Sequence, residues 1–167
     1  YFYGANRIYR AINSLYSPIS QAFFPIISSM AAKEKESTKE LLRVYLFVIL
    51  SLGLISLLLV LSFSKLIVVT ILGDEFLPSH QLLKFFSIVL PLTAISNTLG
   101  RQFLMAINKD SFFVLSQLLA SLVGFLSFIY FLNDLKIYAF PVSLIFYELF
   151  SIVLITIFLL KNDSVWE

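Results

Sequence analysis

Long apolar runs, set apart by short polar segments, constrain this chain more than any other feature. A helix needs about 20 consecutive apolar residues to cross a bilayer core. Five stretches meet that need, at about 6–32, 44–64, 81–107, 112–132 and 137–160. Composition removes the soluble alternative: 59% of the 167 residues are hydrophobic and 13% are charged, against about 25% charged in soluble domains. A water-soluble globule this small cannot hide so much apolar surface. The expectation is an all-α polytopic membrane protein with five transmembrane helices, forming a single membrane domain over 1–167.

Breakers separate the runs. Gly73 and Pro78 end the second, Asn108-Lys109-Asp110-Ser111 makes a tight connection, and Asn133-Asp134-Leu135-Lys136 makes another. Pro91 predicts a kink within the third run. The charged stretch Lys33–Arg43 reads as a loop, and its Lys and Arg cluster assigns it to the cytoplasm. The first helix then runs from outside to inside. The chain opens at Tyr1 without a Met or a signal peptide pattern, which reads as a fragment or as a protein lacking its N-terminal half.

Several functions are excluded on composition. A net charge of +2 is too small for a nucleic-acid binder. No cysteine is present and His80 is the single histidine, so neither a thiolate nor a His-based metal cluster is expected. No phosphate-binding loop, nucleophile elbow or metal spacing appears, so no enzyme activity and no cofactor are expected.

The first run carries the most chemistry. At ~3.6 residues per turn, Arg7, Arg10, Ser14, Ser17, Pro18, Gln21, Pro25 and Ser28 share one stripe, and Ile8, Ile12, Tyr16, Ile19, Phe23 and Ile26 share the other. Polar groups at membrane depth are expensive and face a bundle interior or an aqueous cavity. The stripe therefore predicts a substrate cavity formed by Arg7, Arg10, Ser14, Ser17 and Gln21. Guanidinium groups pair bidentately with phosphate, which suits an anionic lipid headgroup. The plainer alternative has both arginines reaching to the interface.

Glu148 stands alone near the middle of the last run. It is a candidate for proton or sodium coupling, with Tyr147 and Ser151 beside it, or else a structural hydrogen-bonded group. Arg101 is a possible partner, although reaching to the cytoplasmic interface explains it more simply. Gln117, Ala120, Ser121, Gly124 and Ser127 form a small-residue face suited to close helix packing. Thr93, Asn97 and Gly100 form a polar strip that either lines a cavity or bonds a neighbouring helix.

Three segments carry a family resemblance. Tyr3-Gly4-Ala5-Asn6-Arg7-Ile8 with Ser17-Pro18-Ile19-Ser20-Gln21-Ala22-Phe23-Phe24-Pro25-Ile26-Ile27-Ser28 resembles the opening pattern of Wzx-type polysaccharide flippases, in the superfamily that includes the MATE exporters. Ile71-Leu72-Gly73-Asp74-Glu75-Phe76 resembles the family's next conserved-order segment. Asn97-Thr98-Leu99-Gly100-Arg101-Gln102, with Ala106 and Lys109, resembles the one after. The matching pieces lie between Tyr3 and Lys109, about two-thirds of the chain.

The resemblance implies a twelve-helix transporter of two lobes, with this chain supplying helices eight to twelve of the C-terminal lobe. It implies a lipid-linked oligosaccharide as substrate, moved across the bacterial inner membrane for O-antigen or other surface polysaccharide. It also implies membrane lipid and a missing N-terminal lobe as partners. The alternatives are a multidrug or small-solute exporter of the same fold and a non-transport membrane scaffold.

Overall fold

The computed structural model describes residues 1–31 and 35–161, all helices and turns with no strand among them. Six α-helices appear: α1 (Phe2–Ser14), α2 (Tyr16–Ala31), α3 (Lys35–Leu72), α4 (Ser79–Asn97), α5 (Asp110–Leu135) and α6 (Ala139–Lys161). A π-helix, Thr98–Leu104, continues α4.

The expected first helix, 6–32, is two helices. The chain breaks at Leu15, and α2 begins so that Pro18 falls within its first turn. Pro18 has no N–H for the Ser14 carbonyl and its ring crowds that carbonyl, so the ladder is interrupted where a first-turn proline is tolerated. The two pieces lie end to end along α3. Gly4 sits beside Leu72, the Tyr16 hydroxyl donates to Ser56 Oγ at 3.0 Å, and the Phe23 ring lies 5.3 Å from that of Tyr45.

The expected loop 33–43 is helix from Lys35 onward, and its residues 33 and 34 lie outside the described residues. Lys, Glu and Leu are strong helix formers. Thr38, Leu42, Tyr45 and Ile49 continue one buried stripe at helical spacing straight through the charged stretch. At the other end α3 passes Ser64, bends at Phe63 (φ −119°, ψ 16°), and runs on to Leu72. It stops at Gly73, whose φ of 93° and ψ of 167° form a conformation only glycine adopts freely. At ~1.5 Å per residue, the 38 residues of α3 exceed the ~30 Å bilayer core.

Among the described residues, three helical segments are long and apolar enough to cross a membrane, not five: Ser37–Leu72, Ser79–Leu104 and Asp110–Lys161. The break at Leu15 leaves α1 with 13 residues and α2 with 16, each too short alone. The third segment joins α5 to α6 through a 3₁₀ turn at Lys136–Tyr138, and the two pack antiparallel. Phe112 stacks on Phe158 at 3.8 Å, and Phe131 stacks on Phe146 at 5.7 Å.

The middle segment is the central one. About 56% of its most apolar window is buried, against 22% for α3 and 28% for α5–α6. α4 touches α1, α3 and α6. It crosses α3 at Gly53, where an added Cβ would lie 3.0 Å from Pro91 Cα. Outward positions on the flanking helices are Leu, Phe and Ile: Leu58, Leu66, Leu118 and Phe125 are all at least 60% exposed. Water penalises such a surface and hydrocarbon accepts it. Pro91 sits inside α4, and the change of helix type comes after it, at the π-helix.

Two buried clusters hold the bundle. Ala5, Ile8, Val60, Leu82 and Phe86 make one, and Ile27, Tyr45, Leu90, Leu104 and Ile155 make the other.

Candidate functional site

The stripe predicted on the first segment survives its break. Arg7, Arg10, Ser14, Ser17 and Gln21 are all exposed, while Ile8 and Tyr16 are buried. Ile27, rather than Ile26, completes the packed face. The small polar groups are satisfied locally: Ser14 Oγ donates to Ala11 O at 2.7 Å, and Gln21 Nε2 donates to Ser17 Oγ at 2.9 Å.

These five residues are not gathered into one cavity. Arg7 borders a groove of about 550 Å³ between α1 and α3 that is otherwise nearly all apolar. Ser17 and Gln21 line a different cavity, of about 240 Å³, between α2 and the π-helix, together with Arg101 and Gln102. Arg10 and Ser14 line neither.

Glu148 is buried, 7% exposed, against α4. Thr93 Oγ1 donates to its Oε1 at 2.8 Å, and Ser96 Oγ donates to its Oε2. Among the described residues no Lys or Arg pairs with it, and Arg101 is exposed elsewhere. Of the two readings of the Thr93 strip, the structure selects bonding to a neighbour. Tyr147 and Ser151 do not serve Glu148. The Tyr147 hydroxyl donates to Gln117 Oε1, and Gln117 Nε2 donates to Ser151 Oγ at 2.9 Å, which ties α5 to α6.

Each hydroxyl at Glu148 faces two acceptors. Thr93 Oγ1 is also 3.0 Å from Val89 O, and Ser96 Oγ is 3.3 Å from Thr93 O. A hydroxyl has one proton and two lone pairs. With the carboxylate ionised, both protons point at it. With the carboxyl protonated, its O–H donates to one hydroxyl, whose own proton turns back to the helix carbonyl. Both protonation states are therefore fully bonded on the same backbone.

Tyr9, unremarked in the sequence, connects the two regions. Its ring stacks on Phe86 at 5.1 Å. Its phenol neighbours Thr93. Ser96 was also legible in principle, three residues after Thr93 on the same helix face.

Gln102 is a further unexpected feature. Its Oε1 is a buried side-chain oxygen with no hydrogen-bond partner among the described residues. Leaving such a group unmade costs about 1–3 kcal/mol, and the Tyr45 phenol is its near neighbour.

The small-residue face of α5 packs as expected at Ala120 and Gly124, which are buried against α6, whereas Ser121 is exposed. The His80 ring bonds the Leu77 carbonyl, at 2.8 Å. No group of three or more His, Cys, Asp or Glu side chains comes together among the described residues.

Compared with known proteins, the chain matches no family model, no curated protein sequence and no solved structure.

Proposed function

We propose that this chain forms part of a flippase that moves an undecaprenyl-pyrophosphate-linked oligosaccharide across the bacterial inner membrane for surface polysaccharide synthesis. One observation carries the reading. In a chain whose other outward faces are apolar, the α1–α2 face alone presents two arginines and a run of Ser and Gln. A pyrophosphate headgroup must cross a layer that excludes it, so it needs a hydrated, cationic path, while its lipid tail stays in hydrocarbon.

In this reading Arg7 and Arg10 attract phosphate, and Ser14, Ser17 and Gln21 keep the path wet. A second lobe of the same protein faces the stripe, and the lobes rock about it as repeated transporter halves do. Glu148 supplies ion coupling: its network is bonded with or without the proton, and Tyr9 carries the change toward Arg10. A multidrug exporter would place carboxylates on the exposed stripe to meet cationic solutes. This stripe holds arginines and none of the acids.

Arg7→Ala and Arg10→Ala in the intact protein should abolish surface polysaccharide while membrane insertion stays normal. Full polysaccharide display from a correctly inserted double variant would eliminate the proposal.

A further inference from the structure

The packing around Glu148 discriminates between the two ions a lone membrane carboxylate could carry, sodium and the proton. Thr93 Oγ1 donates to its Oε1 at 2.8 Å, and Ser96 Oγ donates to its Oε2. A hard cation of calcium's size, which sodium closely matches, takes about six to eight oxygens at about 2.3–2.6 Å. Neighbouring ligands around such an ion stand about 3.4 Å apart. The oxygens of Thr93 and Glu148 are closer than that, touching as donor and acceptor. Seating a metal ion among them means forcing α4 from α6. Nor does Glu148 line any of the cavities of about 240, 550 and 510 Å³.

A proton needs no such room. It bonds to one carboxylate oxygen, and the new O–H donates to the hydroxyl beside it. That hydroxyl turns its own proton to the helix backbone, Thr93 to Val89 O at 3.0 Å or Ser96 to Thr93 O at 3.3 Å. Only hydrogens move.

The surroundings leave Glu148 to titrate by itself. On α1 the Tyr9 phenol neighbours Thr93, and on α6 the Tyr147 hydroxyl is given to Gln117. Phenols ordinarily titrate near pH 10. On α4, Lys84 lies about two and a half helical turns before Thr93, with His80 beyond it, and Arg101 of the π-helix is exposed. The acids of α5, Asp110 and Asp134, stand at its two ends.

We infer that the ion carried by Glu148 is a proton and not sodium, taken up in place by an exchange of hydrogen-bond donors with Thr93 or Ser96. The inference deepens the ion-coupling part of the transport reading and rests on it for the use made of the proton.

The test is infrared difference spectroscopy of the intact protein in phosphatidylcholine nanodiscs, stepped between about pH 4 and pH 9, where carboxyl groups and not phenols change state. A protonated carboxyl C=O band should grow as pH falls, and Glu148→Gln should remove it. Thr93→Val keeps the carboxyl and deletes one partner, so it should move the frequency of the band and leave the band present. This second variant keeps the assignment testable if Glu148→Gln does not insert. Raising sodium a hundredfold, with choline holding ionic strength constant, should leave the titration midpoint in place. A site shared with sodium would move it by up to about two pH units, one for each tenfold.

A midpoint that falls as sodium rises, or no Glu148-dependent band in that range, would overturn the inference. It fails separately from the transport reading. If the band titrates without regard to sodium but the Glu148→Gln protein displays full polysaccharide, coupling through Glu148 is refuted and the proton site stands. If polysaccharide is lost in that protein and the midpoint follows sodium, coupling stands and the proton is refuted.

Discussion

Thr93 donates its hydroxyl to Glu148 at 2.8 Å, joining α4 to α6 where both side chains are buried. Glu148→Ala removes an acceptor shared by two hydroxyls and leaves a cavity, with an expected cost of about 2–4 kcal/mol. Glu148→Gln keeps the shape and one acceptor, and should cost about 1 kcal/mol. Unfolding in detergent or bicelles, followed by circular dichroism, measures both. Equal stability of the two variants would show that the bonds to Glu148 contribute nothing to holding the helices. A double-mutant cycle with Thr93→Val should give a positive coupling that disappears in the Glu148→Gln background if it comes from an ionised carboxylate.

This chain of 167 residues holds no cysteine, so a single cysteine introduced into it is a unique label within it. Ser14→Cys and Ser17→Cys in the intact protein in membranes should react with a water-soluble maleimide. Leu118→Cys and Leu122→Cys, on the outward face of α5, should react at least about tenfold more slowly, because a thiol in hydrocarbon stays protonated and out of reach. Equal, slow labelling of all four would mean that the α1–α2 face meets acyl chains.

Gly53 meets the backbone of Pro91, where nothing flexible can yield. Gly53→Ala should push α3 from α4 and cost about 1–3 kcal/mol through overpacking. Thermal unfolding of the variant checks this. A midpoint equal to that of the unmodified chain would mean the two helices do not pack as closely as described.

Gly73→Ala places a Cβ on a backbone with φ of 93° and ψ of 167°. The strain should cost about 1–3 kcal/mol, although the surroundings of that Cβ are open. Any loss of stability is therefore conformational rather than steric. Gly73→Asn should be no better than Ala, since asparagine tolerates the left-handed helical region and not this one. Rescue by Asn would point to a different turn.

Much of the fold was legible because apolar runs and turn residues announce themselves. Gly73, Asn108 and Lys136 each sit in a connection, and each has a positive φ. The segment at 33–43 misled because charge suggests a loop, while the buried series Thr38, Leu42, Tyr45 and Ile49 kept helical time through it. The break at Leu15 was obscured by a polar stripe that continues across it. In the candidate site, Glu148 was visible as a lone charge and Thr93 as part of a polar strip. Periodicity within one helix says nothing about which neighbour it meets, so their pairing was not visible, nor was that of Tyr147 with Gln117. Gln102 was hidden more deeply, because its aim depends on a wider turn that no local residue pattern declares.

That wider turn makes one continuous rod serve two clients. Ahead of it, Thr93 and Ser96 address α6; within it, Gln102 addresses α2. Each α-helical residue advances the direction of a side chain by about 100°, and the extra residue of a π-turn resets that clocking. Were the turn to tighten to ordinary α winding, Gln102 and Arg101 would swing away from α2 while the partners of Glu148 stayed put. The π-turn thus lets one rod aim its two ends at different helices independently of one another.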